Sequence, residues 1–154
     1  MKYLILATIC LTILTAGVHA MIVTLSLDEL VENSELIVTA RVTNIETLEK
    51  TAENARLFAD LPDEISLVNN QFEIKEFFKG TLPNDEKLTI RTQTGFEDAT
   101  SFTKESNYLL FLKRYEDRYI VVNAPQGCWP IEENGKFSGM GHDSTMEQVK
   151  AAIK

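Results

Sequence analysis

The chain has 154 residues, 23 acidic and 15 basic, a formal charge of −8, and only two cysteines and two histidines. The length suggests one domain, and the acidity argues against nucleic acid or an anionic membrane surface as a partner. So small a stock of cysteine and histidine excludes a disulfide framework and leaves little for a Cys/His metal centre.

Residues 1–20 have the layout of a secretory signal peptide. Lys2 precedes an apolar run over 3–14, and Val18-His19-Ala20 places small residues three and one before a cut after Ala20. The run is too short and too threonine-rich for a comfortable span, which needs roughly 20 apolar residues. Retention as an uncleaved anchor is the alternative. Ile9, not a small residue, precedes Cys10, which argues against a lipoprotein. Cleavage leaves residues 21–154 as a single domain of charge −9, with Cys128 and His142 as its only cysteine and histidine. Neither an intramolecular disulfide nor a Cys/His metal site can then form within one chain. The absence of any Asn-x-Ser/Thr sequon fits a bacterial secreted or periplasmic protein, with no membrane contact after cleavage.

Ser26 with Glu29 forms a capping box, flanked by Leu25 and Leu30 as a hydrophobic staple, so a short helix is expected over 27–32. Over 36–45, Leu36, Val38, Ala40 and Val42 alternate with Ile37, Thr39, Arg41 and Thr43, as in a strand with one buried face. Ile45 breaks that parity and predicts a bulge near Thr43-Asn44. Residues 46–65 lose the alternation and read as a long, mobile hairpin loop, with a helical turn within 51–59 as the alternative.

A second strand is expected over 67–78, with Phe72 and Ile74 on one side and Glu73 and Lys75 on the other. Leu82-Pro83-Asn84-Asp85 signals a turn, and 87–92 alternates again with Leu88 and Ile90 inward, completing a hairpin. Residues 93–107 are polar and irregular, with Gly95 as hinge and Phe96 and Phe102 as apolar anchors. Tyr108-Leu109-Leu110-Phe111-Leu112 is a strand covered on both faces. It turns at Glu116-Asp117 and returns along Tyr119-Ile120-Val121-Val122. Residues 125–130 read as a turn-rich crossing, and Asn134-Gly135 as a hairpin turn. A second capping box, Ser144 with Glu147, opens a terminal helix with an apolar stripe of Met146, Val149 and Ile153. The expected fold is mainly β: a small OB-like antiparallel barrel of about five to six strands, with a short N-terminal helix and a C-terminal helix.

Three stretches together, 33–42, Phe72-Glu73-Ile74-Lys75-Glu76-Phe77-Phe78-Lys79-Gly80 and Tyr108-Leu109-Leu110-Phe111, resemble barrel strands of netrin-like modules. That family includes the tissue inhibitors of metalloproteinases. The resemblance covers roughly 27–125 and implies a five-stranded OB-like barrel with helices packed on it. Inhibition in that family depends on an amino-terminal cysteine and a disulfide framework, and this chain has neither. The resemblance therefore implies a fold and no functional site.

Gln126-Gly127-Cys128-Trp129 superficially resembles the nucleophile region of papain-like proteases, with His142 as the available base. Pro130 disfavours the helix such enzymes start at their cysteine, and only 26 residues follow Cys128, so a buried structural cysteine is the preferred reading. Gly139-Met140-Gly141-His142-Asp143-Ser144 reads as loop and cap, because Asp143 puts a negative charge where an anion would sit. Asp63-Glu64 and Glu132-Glu133 lack the alternate spacing of a calcium loop and read as solvated turns. Phe72, Phe77, Phe78, Tyr108, Phe111 and Tyr119 read as barrel core and lid. No catalytic, cofactor-binding or metal residue is assigned. The chain is expected to be a non-enzymatic module that binds a protein partner through 46–65 and 93–107; the alternatives are a loop-based peptidase inhibitor and a thiol hydrolase using Cys128 and His142.

Overall fold

The computed structural model describes residues 23–83, 87–95 and 99–153. The expected signal peptide, the Phe96 anchor, part of the 82–85 turn and Lys154 lie outside them. Among the described residues no helix is long and apolar enough to cross a membrane.

Helix α1 (Leu27–Glu32) opens on the expected capping box: Ser26 Oγ accepts from the Glu29 amide, and the Glu29 carboxylate accepts from the Ser26 amide at 2.7 Å. The chain then enters β1 (Leu36–Thr47), which pairs antiparallel with β2 (Ser66–Lys79). Their register slips between Val42 and Asn44, where Ile45 changes parity, so the predicted bulge is present. β2 pairs antiparallel with β3 (Leu88–Thr94), as the expected hairpin requires. β4 (Asn107–Tyr115) returns to β1 and turns back as β5 (Arg118–Val121).

The order β1-β2-β3-β5-β4 closes through a β1–β4 pairing into a five-stranded OB-like barrel. Every seam is antiparallel except β3–β5. Because β4 runs opposite to β3, the tight turn that reverses β4 into β5 brings β5 back parallel to β3, through the single pair Ile90↔Tyr119.

Two apolar layers follow from strand alternation. Leu36, Val38, Ala40, Val42, Phe72, Leu88, Ile90, Tyr108, Leu110 and Leu112 fill the barrel. Ile37, Leu109 and Phe111 point outward from β1 and β4 into a second cluster with Leu30, Val31, Trp129, Phe137 and Val149. β4 is therefore covered on both faces, as its unbroken apolar run requires. The expectation of one buried face for β1 is corrected at its start: Ile37 is fully buried on the outer side, because the helical layer lies over it.

Four further corrections have local causes. Residues 125–130 are not only a crossing, since β6 (Cys128–Ile131) adds a sixth strand to β4. β4 is long enough for β6 and β5 to share one of its edges, and Pro130 is tolerated because β6 is an edge strand. Helix α2 (Met146–Ala152) is capped by Thr145 and Gln148 rather than Ser144 and Glu147. The Gln148 carboxamide accepts from the Thr145 amide at 2.8 Å, so the box closes one residue later. Ile153, expected in the helix, is the extended residue at its end. Phe77 is 48% exposed rather than core, because it lies near the end of β2 opposite Val38, where it lines an open hollow with Ile74 and Leu82; the register shift between Ile37 and Val38 leaves Phe78 as the extra residue. Phe78 packs toward the helical layer, where the Lys150 ammonium lies 5.4 Å from its ring centre.

Candidate functional site

The two segments without strand alternation meet at one end of the barrel. β1 ends there and β2 begins there, so the β1–β2 connection crosses that end; β3 ends at the same place, while β4 begins further along the barrel, where Asn107 pairs with Arg41 of β1. Ser66 pairs with Thr94 at the base of both. Gly95, at φ 105°, passes so close to the Glu64 carbonyl that a side chain would collide with it.

The first loop contains a helical turn, the alternative reading of 51–59. Its centre is a 3-10 turn (Ala55–Phe58), and Asn54 ties the approach down by accepting from the Thr51 amide at 2.7 Å and donating to the Glu49 carbonyl at 2.8 Å. Phe58 is buried beneath the turn, beside Leu48, Leu61 and Ile65. Leu57, by contrast, is 38% exposed. Residues 46–65 carry six acidic and two basic side chains, and all six acids face solvent, which makes this end strongly negative.

The second loop is anchored through Phe102, edge-on to Phe72 and to Tyr108 with ring centres 5.0 and 5.1 Å apart. The Tyr108 hydroxyl accepts from the Thr103 amide at 2.9 Å. The Glu105 amide donates to the Val42 carbonyl at 2.9 Å, and the Arg41 guanidinium bridges Glu105 and Glu73 at 3.1 Å each. Lys75 and Arg41 together hold the Glu73 carboxyl below its ordinary range.

The remaining sequence candidates separate. Strand β6 turns Cys128 into the barrel and Trp129 into the outer layer, and Gly141 lies on the Trp129 ring. His142 follows Gly141 on that outer side, exposed, with Nδ1 2.9 Å from the Gly139 carbonyl and Nε2 3.0 Å from Asp143. Burial pushes the Cys128 thiol up to about 12, so no thiolate forms near neutral pH. Cys128 and His142 are not brought together. The 139–144 stretch is a 3-10 turn (Gly139–Gly141) whose last residue is packed on tryptophan, followed by the cap of α2. Among the described residues no three His, Cys, Asp or Glu side chains cluster as a metal site.

One feature escaped the sequence reading. Because β3 and β5 share only one residue pair, a groove of about 350 Å³ runs along their seam. Arg91 of β3 and Arg118 of β5 line it, as does Thr100 from the second loop. The only sequence signal was that each arginine follows the outward parity of its strand; nothing in either segment announced that the strands are neighbours.

Neither protein-family models nor curated proteins yield a match to this chain. Its class rests on the topology of the described residues: a closed OB-like barrel with one added strand and two short helices.

Proposed function

We propose that this protein is a non-enzymatic binding module, secreted or periplasmic, that engages a protein partner through residues 46–65 and 93–107. The observation that supports this most is the convergence of both irregular segments on one end of a rigid barrel, the arrangement in which loops carry recognition while the scaffold carries stability. The six exposed acids of the first loop favour a partner with a basic surface. The netrin-like resemblance belongs to the same proposal and supports it through the shared barrel class.

Photo-crosslinking side chains placed singly at Glu53 and Asp60, and at Glu116 in the β4–β5 turn as control, test this in the host cell. The expected result is one discrete adduct from the loop positions, weakened by E53K/D60K and absent from the control. Equal labelling from all three positions, or none from the loop, rejects the placement. A loop-based peptidase inhibitor is the second reading, favoured by the exposed Leu57 on the 3-10 turn. Inhibition of a metallo-, serine or cysteine peptidase that is lost in Leu57→Asp would establish it.

A further inference from the structure

The β3–β5 groove borders the second loop, which supplies Thr100, but its argument rests on Arg91 and Arg118 and not on the loop reading. Arg91 and Arg118 face the same opening in a chain that is otherwise acidic. Among the described residues neither has a carboxylate within ion-pair distance, although all the bridges found elsewhere engage exposed basic groups. Arg91 donates through Nε to Asn69 at 2.9 Å, which fixes the planar group, and among the described residues its remaining donors are uncommitted. Burial, and the nearby Arg118 charge, lower the Arg91 pKa, while Asp117 acts in the opposite direction. Two cations are thus held together with one acid partly offsetting them.

Among the described residues the groove also contains polar atoms that find no hydrogen-bond partner: the hydroxyl of Thr100, which is 7% exposed, and the buried Nε of Arg118. Such groups cost stability unless something supplies acceptors. Leu67, Ile90, Ile120 and Val121 give the same groove an apolar lining. The volume falls at the lower end of small-molecule sites, roughly 300–1,000 Å³.

We infer that the seam between β3 and β5 is a binding site for a small organic anion, its oxyanion head held by Arg91, Arg118 and Thr100 and its apolar body against Ile90 and Ile120. Guanidinium groups suit this head because their planar forks match carboxylate and phosphate oxygens. The acidic surface elsewhere makes this seam a distinctive attraction for an anion.

Isotope-labelled full-length chain, titrated with hexanoate and separately with hexyl phosphate, tests the site; hexanol and inorganic phosphate are the controls. One or both amphiphilic anions should bind saturably and at least roughly tenfold tighter than either control, with the preferred head group distinguishing carboxylate from phosphate. The Arg91 and Arg118 Nε–Hε resonances should shift in the unmodified chain, a readout that needs no variant. R91Q and R118Q should each weaken binding roughly tenfold, and T100V severalfold. Absence of saturable binding, equal binding of hexanol or inorganic phosphate, or affinity unchanged in folded R91Q and R118Q overturns the assignment.

Discussion

Gly141 lies against the face of the Trp129 indole, with the position of an added Cβ overlapping Cγ, Cδ2 and Cε3 of the ring. The same indole is tilted against Phe111 and edge-on to Phe137, with centres 4.9 and 5.3 Å away, and its Nε1 donates to the Gln126 carbonyl at 2.7 Å. Trp129 is therefore held on several sides and cannot retreat. Gly141→Ala should destabilise the fold by about 1–3 kcal/mol through overpacking. Urea denaturation followed by tryptophan fluorescence measures this, and an unchanged midpoint would show that the turn simply lifts.

Cys128 gives a pH-dependent prediction. Its folded pKa is raised from 9.0 to about 12 by burial, so the folded state holds the thiol proton more tightly than the unfolded chain does. The resulting stability is fully present below about pH 9 and is lost as pH rises toward 12, at ~1.4 kcal/mol per unit. Cys128→Ala should flatten the alkaline slope of stability relative to the unmodified chain, at the cost of a small constant offset. Native protein at pH 7 should also resist thiol reagents until it unfolds. Rapid labelling of the folded form would contradict the buried placement.

The alternation of Leu36, Val38, Ala40 and Val42 was enough to locate β1, and the change of parity at Ile45 was enough to locate its bulge. Those signals are local: each depends on which side of one strand a residue faces. β6 was hidden because Pro125, Gly127 and Pro130 are turn formers, while the reason for a strand there is the open edge that β4 supplies. Phe77 and Phe78 were indistinguishable in sequence, since the slip that makes Phe78 the extra residue belongs to the pairing with Ile37 and Val38. The loops at 46–65 and 93–107 were visible as breaks in alternation, but their meeting at Glu64 and Gly95 is a property of the topology. The β3–β5 groove was invisible for the same reason.

Asn70 is a polar residue on the inward parity of β2, 1% exposed, opposite Ile90. Its side-chain amide donates to the Ile90 carbonyl at 3.1 Å and to the Thr92 hydroxyl at 3.0 Å, linking β2 to β3 inside the protein. Asn70→Ala should cost about 1–3 kcal/mol, because it leaves buried acceptors behind. Asn70→Val with Thr92→Val removes donor and acceptor together and should be less damaging than the sum of the single changes. A double-mutant cycle by chemical denaturation gives the coupling, expected at about 0.5–3 kcal/mol. Strict additivity would mean that the bond contributes nothing.

Phe58 anchors the first loop but belongs to neither of the two large apolar clusters. Its loss therefore acts on a satellite, and the barrel seams remain intact. A core Phe→Ala typically costs about 3–5 kcal/mol, but here the damage should appear as local opening of 48–65 rather than as global unfolding. Phe58→Ala should increase amide exchange and proteolytic cleavage within the loop roughly tenfold or more, with the β4 amides unaffected. The same variant should lose crosslinking from Glu53 and Asp60 if a partner recognises the ordered form of the loop, because the partner would then have to restore that order on binding. If β4 exchange accelerates in step with the loop, the turn and the barrel unfold as one unit and the loop is part of the scaffold.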